Sequence, residues 1–189
     1  MISVCVVAMV AVIESVQPKL STELREWIGH NVCNAAHDTA TNPVWLGAYM
    51  LTENRAIDLW SVVPASCGND HSLFQINSCY QKARADFRRI HHPYYGAKVA
   101  AEILQDNLKA FGWTWQAFAA YWNPSQARQG TLAATRYYAR YHANAQLIER
   151  AITTARKQAD ASKPEKNALF FFESGVNPPN RFTPPTISG

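Results

Sequence analysis

Residues 91–112 read HHPYYGAKVAAEILQDNLKAFG, and this stretch by itself predicts a long helix. Pro93 suits the first turn of a helix, where its missing N–H would have no partner in any case. Gly112 is a residue type that often ends a helix. Between them, apolar side chains recur at helical spacing, namely Val99 or Ala100, Ile103, Leu104, Leu108 and Phe111.

Helical signals continue on both sides of this stretch. The predicted helices begin at Ser21 or Thr22 and run towards Ala36, from Asn42-Pro43 to about Trp60, from Thr114 through Trp115 to Trp122, and from Leu132 to about Lys157. Residues 64–69 (PASCGN) are rich in turn formers and predict a loop. Gly and Pro are scarce before the C-terminal tail, so the expected fold class is mainly α, and an all-β sandwich is excluded.

Length and composition indicate one globular domain. The chain has 189 residues, 48% of them hydrophobic and 17% charged, which is enough apolar material for a packed core. The net charge of +4 comes without a run of Lys or Arg, so nucleic acid is not an expected partner, whereas a polyanionic surface or wall polymer fits the charge.

Three regions are expected along the chain. Residues 1–20 contain an apolar run, Ile2 to Ile13, that is too short for a transmembrane anchor. This run is either a clipped signal peptide, although no basic residue precedes it, or a buried helix. Residues 21–158 are expected to form the helical domain, and residues 159–189 a Pro-rich tail around an apolar knot, Ala168 to Phe172.

The cysteine and histidine spacings bear on metals and redox state. Cys5, Cys33, Cys67 and Cys79 contain no CxxC pair, and the histidines have no HExxH spacing, so neither a metal nor another cofactor is expected. Cys67 and Cys79 bracket a loop short enough to close as a disulfide in an oxidising compartment. Free thiols remain the alternative.

Glu53 is the sharpest chemical signal. On the predicted helix it shares a face with apolar residues, namely Leu46, Tyr49, Met50, Ile57 and Trp60. Burial disfavours the charged form of a carboxyl group, so Glu53 could remain protonated near neutral pH and act as a general acid. The alternative is a structural ion pair with Arg55 or Arg84.

Two further motifs carry groups that suit sugars. In Ser72-Leu73-Phe74-Gln75-Ile76-Asn77 the amides of Gln75 and Asn77 could bond sugar hydroxyls or N-acetyl groups, although a capped helix start is the simpler reading. In Ala119-Ala120-Tyr121-Trp122-Asn123 the hydroxyl of Tyr121 could bond an acid, although core packing is commoner. The six Trp and eight Tyr either fill the core or stack on sugar rings.

Taken in order, Glu53, the Ser72 to Asn77 segment, Pro93-Tyr94-Tyr95 and Ala119-Ala120-Tyr121 resemble the catalytic domain of goose-lysozyme-like lytic transglycosylases. The similarity is strongest to the small muramidases of conjugation and secretion systems, and it covers roughly residues 43–141. The resemblance implies a lysozyme-like helical domain with a catalytic cleft. It also implies a periplasmic or cell-envelope location, peptidoglycan glycan strands as substrate, and a secretion, conjugation or phage assembly system as partner.

The resemblance also implies residue roles. Glu53 would be the catalytic acid and base that cleaves the bond between N-acetylmuramic acid and N-acetylglucosamine with formation of a 1,6-anhydro ring. Gln75 would contact the sugar near the cut, and Tyr121 would hold Glu53 in position. The remaining expected substrate-binding residues are Ser72, Phe74, Asn77 and Asn123.

The chain departs from the family pattern at three places. Asn54 stands where the family has Ser, Ser72 where it has Gly, and Trp122-Asn123 where it has Asn-Ala. These departures leave open a non-catalytic peptidoglycan-binding protein. A hydrolytic muramidase that uses Asp58 or Asp70 as base is a further alternative.

Overall fold

The protein is mainly helical, as predicted. The computed structural model describes residues 3–162. In that part of the chain the elements are α1 (Val4–Val16), α2 (Thr22–Asp38), α3 (Pro43–Glu53), β1 (Val62–Pro64), β2 (Asn69–His71), β3 (Ile76–Asn77), α4 (Ser78–Gln81), a 3-10 turn (Phe87–Arg89), α5 (Pro93–Phe111), α6 (Trp115–Ala119), α7 (Pro124–Gln129) and α8 (Leu132–Ala161).

Side-chain caps set most of the helix starts. The Ser21 hydroxyl accepts from the Leu24 amide at 3.2 Å, and the Asn42 side chain accepts from the Val44 amide at 2.9 Å ahead of Pro43. Each cap satisfies an amide that has no partner within the helix. The predicted starts of α2, α3 and α5 are therefore confirmed, as is the end of α5, where Gly112 has a φ of 66°.

From Val4 onward the apolar N-terminal run lies in α1, which packs on α2 and α8 within the main core. Met9 and Ile13 are almost fully buried, and a disulfide joins Cys5 to Cys33 of α2. A Cβ added at Gly47 of α3 would lie 2.8 Å from Met9 Cε, so the helices approach closely at this point. The described structure shows this run as a core helix. The helical domain therefore begins before its expected boundary at residue 21.

The core is formed where α3 and α8 pack together and where α2 packs on α5. Its largest fully buried side chains include Tyr49, Phe74, Met9, Ile13, Ile28 and Leu46. Burying side chains of this size contributes about 1.5–3 kcal/mol each relative to solvent exposure. The candidate catalytic residue lies at the C-terminal end of α3, and this core fixes its position.

A small antiparallel sheet follows α3, in the order β1-β2-β3. The sequence predicted only a loop at 64–69, and the flanking strands were missed. A disulfide between Cys67 and Cys79, with a Cα–Cα distance of 5.6 Å, ties the hairpin tip to α4. The predicted pairing is therefore confirmed, and with Cys5–Cys33 all four cysteines are paired.

Two further boundaries differ from the prediction. The predicted helix at 115–122 is shorter than expected, because α6 ends at Ala119. The short helix α7, capped by Asn123, follows it and was not predicted. The last helix extends to Ala161, beyond the expected boundary at 158, whereas the rest of the expected tail from residue 163 lies outside the described residues. Among residues 3–162, no helix has the length and apolar character needed to cross a membrane.

Candidate active site around Glu53

Glu53 is the last residue of α3, the helix that packs against α8. The predicted apolar face is present, since Leu46, Tyr49 and Met50 are fully buried one and two turns before it. Glu53 itself is half-buried as a residue. The hydroxyl of Tyr137 on α8 donates a hydrogen bond to Glu53 Oε1.

The helix is shorter than predicted. It ends at Glu53 instead of continuing to Trp60, because Asn54 leaves helical geometry with φ −141° and ψ 76°. The buried Asn54 amide donates to the Asp58 carbonyl at 2.8 Å and to the Ser72 carbonyl at 3.2 Å. Trp60 is consequently not on the apolar helix face, and 72% of its surface is exposed.

The environment of Glu53 favours its protonated form. Burial raises the pKa of this carboxyl from 4.5 to about 7, and the nearby negative charge of Asp70 adds to the increase. The hydrogen bond from Tyr137 and the positive charge of Arg140 act in the opposite direction and lower the pKa. A carboxyl group with a pKa of about 7 can both donate and accept a proton near neutral pH.

The structural ion pair considered for Glu53 is not formed. Arg55 is exposed, and Arg84 binds Glu102 at 3.2 Å and Asp106 at 2.7 Å. Within residues 3–162, no basic side chain lies within ion-pair distance of Glu53. The raised pKa therefore arises from burial without a compensating cation in contact.

Tyr137 is the residue that sequence reasoning missed. It is 2% exposed, and its ring stacks on Trp122 with ring centroids 5.9 Å apart and an interplanar angle of 15°. The Arg140 guanidinium lies 5.9 Å from the same ring. These contacts fix the ring while its hydroxyl reaches Glu53. No local signal connects positions 53 and 137, which the fold brings together.

The expectation that Tyr121 holds Glu53 is wrong. The Tyr121 hydroxyl donates to the Phe74 carbonyl at 2.9 Å, and its ring stacks on Tyr49 with centroids 4.1 Å apart. Tyr121 therefore holds the backbone of the 72–77 segment through its hydrogen bond to Phe74. Burial raises the pKa of the Tyr121 hydroxyl, and the negative charge of nearby Glu53 adds to the increase.

Ser72 and Phe74 are not available as direct sugar contacts, because both are fully buried. A side chain without exposed surface cannot touch a ligand in a cleft, so this part of the prediction is wrong. Ser72 takes a φ of 65°, a backbone region that favours glycine, and its amide donates to the Ser61 carbonyl at 2.8 Å. Phe74 contributes its ring to the core.

Gln75 is half-buried on the same turn and has a φ of 47°. Its side-chain amide donates to the Ser72 carbonyl at 2.7 Å and to the Ser61 hydroxyl at 3.1 Å. These bonds hold Gln75 against the segment that precedes the sheet. Sugar contact by Gln75 remains a prediction.

Asn77 and Asn123 use their side chains as local caps. Asn77 accepts from the Cys79 amide at 2.9 Å and donates to Asp70 Oδ1 at 2.7 Å, which fixes the Asp70 carboxylate. Asn123 accepts from the Gln126 amide at 3.0 Å at the start of α7. Both are half-buried, and their sugar contacts likewise remain predictions.

The two candidate second carboxylates differ in position. Asp70 acts electrostatically on Glu53, as described above, whereas the exposed Asp58 accepts from the Trp60 amide at 2.9 Å within its own turn. In the described part of the chain, His, Cys, Asp and Glu side chains form no cluster able to hold a metal ion. The candidate site consists of Glu53 and the Tyr137 hydroxyl that bonds it, with the charge of Asp70 nearby.

Searches of protein-family models, of curated proteins and of solved structures each returned no match to this chain.

Proposed function

We propose that this protein is a peptidoglycan lytic transglycosylase with Glu53 as its acid and base. The observation that carries the proposal is the carboxyl group of Glu53, which has a pKa of about 7, accepts a hydrogen bond from Tyr137 and contacts no cation among residues 3–162. The order of motifs that resembles this family supports the same assignment. The substrate would be the bond between N-acetylmuramic acid and N-acetylglucosamine in glycan strands.

One carboxyl group can perform both proton transfers of this reaction. Protonated Glu53 donates its proton to the glycosidic oxygen as the bond from muramic C1 to that oxygen breaks. The resulting carboxylate then accepts the proton of the muramic C6 hydroxyl, while O6 bonds to C1 and closes a 1,6-anhydro ring. Glu53 returns to its protonated state, and no water is consumed.

The two disulfides support a cell-envelope or periplasmic location, because disulfides persist mainly in oxidising compartments. A secretion, conjugation or phage assembly system as partner rests on the resemblance alone.

The test is cleavage of purified peptidoglycan by wild type and by the Glu53→Gln variant. Gln is nearly isosteric with Glu, so the fold should be retained while turbidity clearing is abolished. Circular dichroism and thermal melting of both proteins control for folding. Clearing by the variant at near the wild-type rate would refute the assignment of Glu53.

A hydrolytic muramidase is the second candidate, favoured by the proximity of the Asp70 charge to Glu53. In that case Asp70 would act on water or on the sugar, as the second carboxylate does in two-carboxylate glycosidases. Asp70→Asn should then abolish cleavage. A transglycosylase should retain most of its activity, with the Glu53 pKa shifted downward because a neighbouring negative charge is removed.

A further inference from the structure

An exposed indole lies seven residues after Glu53 in the chain. Trp60 has 72% of its surface exposed, yet its ring lies flat against the imidazole of His91, with centroids 5.1 Å apart and an interplanar angle of 21°. The His91 ring is itself fixed, because Nδ1 donates to the Leu59 carbonyl at 2.9 Å. The indole therefore has one backed face and one accessible face.

Additional rings pack beside this pair. The His71 ring on β2 forms T-shaped contacts with the rings of His91 and Phe87, each with ring centroids 5.9 Å apart. Burial and the proximity of His91 lower the pKa of His71. The platform is defined here as Trp60 with His91 and His71 behind it.

Hydrogen-bonded turns connect the platform to the candidate active site along the chain. Ser61, the next residue after Trp60, accepts hydrogen bonds from the Ser72 amide and from the Gln75 side chain. On the other side, Asn54 closes the turn from Glu53 towards Trp60 through its bonds to Asp58. Both connections are short and hydrogen-bonded, so the position of Trp60 is set relative to Glu53.

We propose that the Trp60 platform binds a pyranose ring of the glycan strand, at a subsite removed from the scissile bond. The proposal rests on the proposed function for the identity of the strand. A flat, rigidly backed aromatic face suits the C–H face of a sugar ring, because the negative π face attracts the weakly positive hydrogens. Holding the indole in advance also lowers the entropy cost of binding.

The test measures binding in the Glu53→Gln background, where the strand should remain uncut. A soluble N-acetylglucosamine oligomer and purified sacculi serve as probes, by calorimetry and by cosedimentation. Adding Trp60→Ala should weaken binding about ten-fold, equivalent to about 1.4 kcal/mol, with little change in thermal stability. Trp60→Phe should restore part of the affinity.

Trp113→Ala is the matched control. Trp113 is 61% exposed and also pairs with another ring, that of Trp45, but Trp45 lies in the first turn of α3, eight residues before Glu53. At 1.5 Å per residue this places Trp45 about 12 Å along the helix from the candidate acid. The control variant should bind both probes as tightly as its parent.

The outcomes separate the platform from the proposed reaction. If wild type cleaves sacculi but Trp60→Ala binds and cleaves normally, sugar binding by Trp60 is refuted and the proposed reaction is unaffected. If wild type does not cleave but binding depends on Trp60, the proposed reaction is refuted and sugar binding by Trp60 is supported. Absence of binding of either probe to the Glu53→Gln parent would also refute sugar binding by the platform.

Discussion

The Tyr137→Phe substitution removes one hydroxyl from the contact with Glu53 and leaves the buried ring in place. A hydrogen bond to a charged group contributes about 1.5–3 kcal/mol. At about 1.4 kcal/mol per pKa unit, its loss should raise the pKa of Glu53 from about 7 by roughly one to two units, because burial continues to disfavour the charged form.

The assay is the pH dependence of kcat/KM for soluble glycan fragments. Glu53 must begin the reaction protonated, so wild-type kcat/KM should fall as pH rises above about 7. In Tyr137→Phe this basic limb should move to higher pH. The plateau below it should drop ten- to a hundred-fold, about 1.4–2.7 kcal/mol of transition-state stabilisation, because the carboxyl group is less well positioned.

Tyr141→Phe on the same helix is the matched control, since its buried hydroxyl has no hydrogen-bond partner in the described part of the chain. That variant should leave both the limb and the plateau unchanged and should not reduce stability. An unmoved basic limb in Tyr137→Phe would refute the argument that Tyr137 stabilises the charged form of Glu53.

Three further predictions follow from the same contacts. Because the pKa of Glu53 is 4.5 when unperturbed and about 7 when folded, the folded state binds more protons between these values, and the free energy of unfolding should fall as pH rises through this window. The fall should be roughly 1–3 kcal/mol by urea denaturation and should be absent in Glu53→Gln. Asn54→Ala should destabilise the protein by about 2 kcal/mol in the same assay, because the turn after α3 loses its buried hydrogen bonds. Tyr121→Phe should lower activity less than Tyr137→Phe and leave the basic limb in place, because its hydroxyl bonds the Phe74 carbonyl and not Glu53.

The helix starts could be read from the sequence because their signals are local. Ser21 and Asn42 cap through amides two or three residues away, so neighbouring sequence contains all that the cap requires. Position 53 was likewise indicated by the apolar residues one and two turns before it. Burial of its carboxyl group follows from that pattern.

The end of α3 and the partner of Glu53 depend on contacts between distant residues. Ile57 continues the apolar spacing and is buried, but it reaches the core through a turn, with a φ of 57°. Periodicity alone cannot distinguish such a turn from another helical turn. Asn54 ends the helix partly through a bond to Ser72, and Tyr137 lies on the last long helix, so both contacts require the assembled fold.

Mass spectrometry of the products released from purified sacculi distinguishes an anhydro-forming cleavage from a hydrolytic one. We expect muropeptides with 1,6-anhydro-muramic ends from wild type, with no incorporation of oxygen when the digestion is run in ¹⁸O-labelled water, and no products from Glu53→Gln. Reducing ends that carry the ¹⁸O label would contradict it, because they require water as the acceptor, and intact glycan with wild-type protein would contradict catalysis altogether.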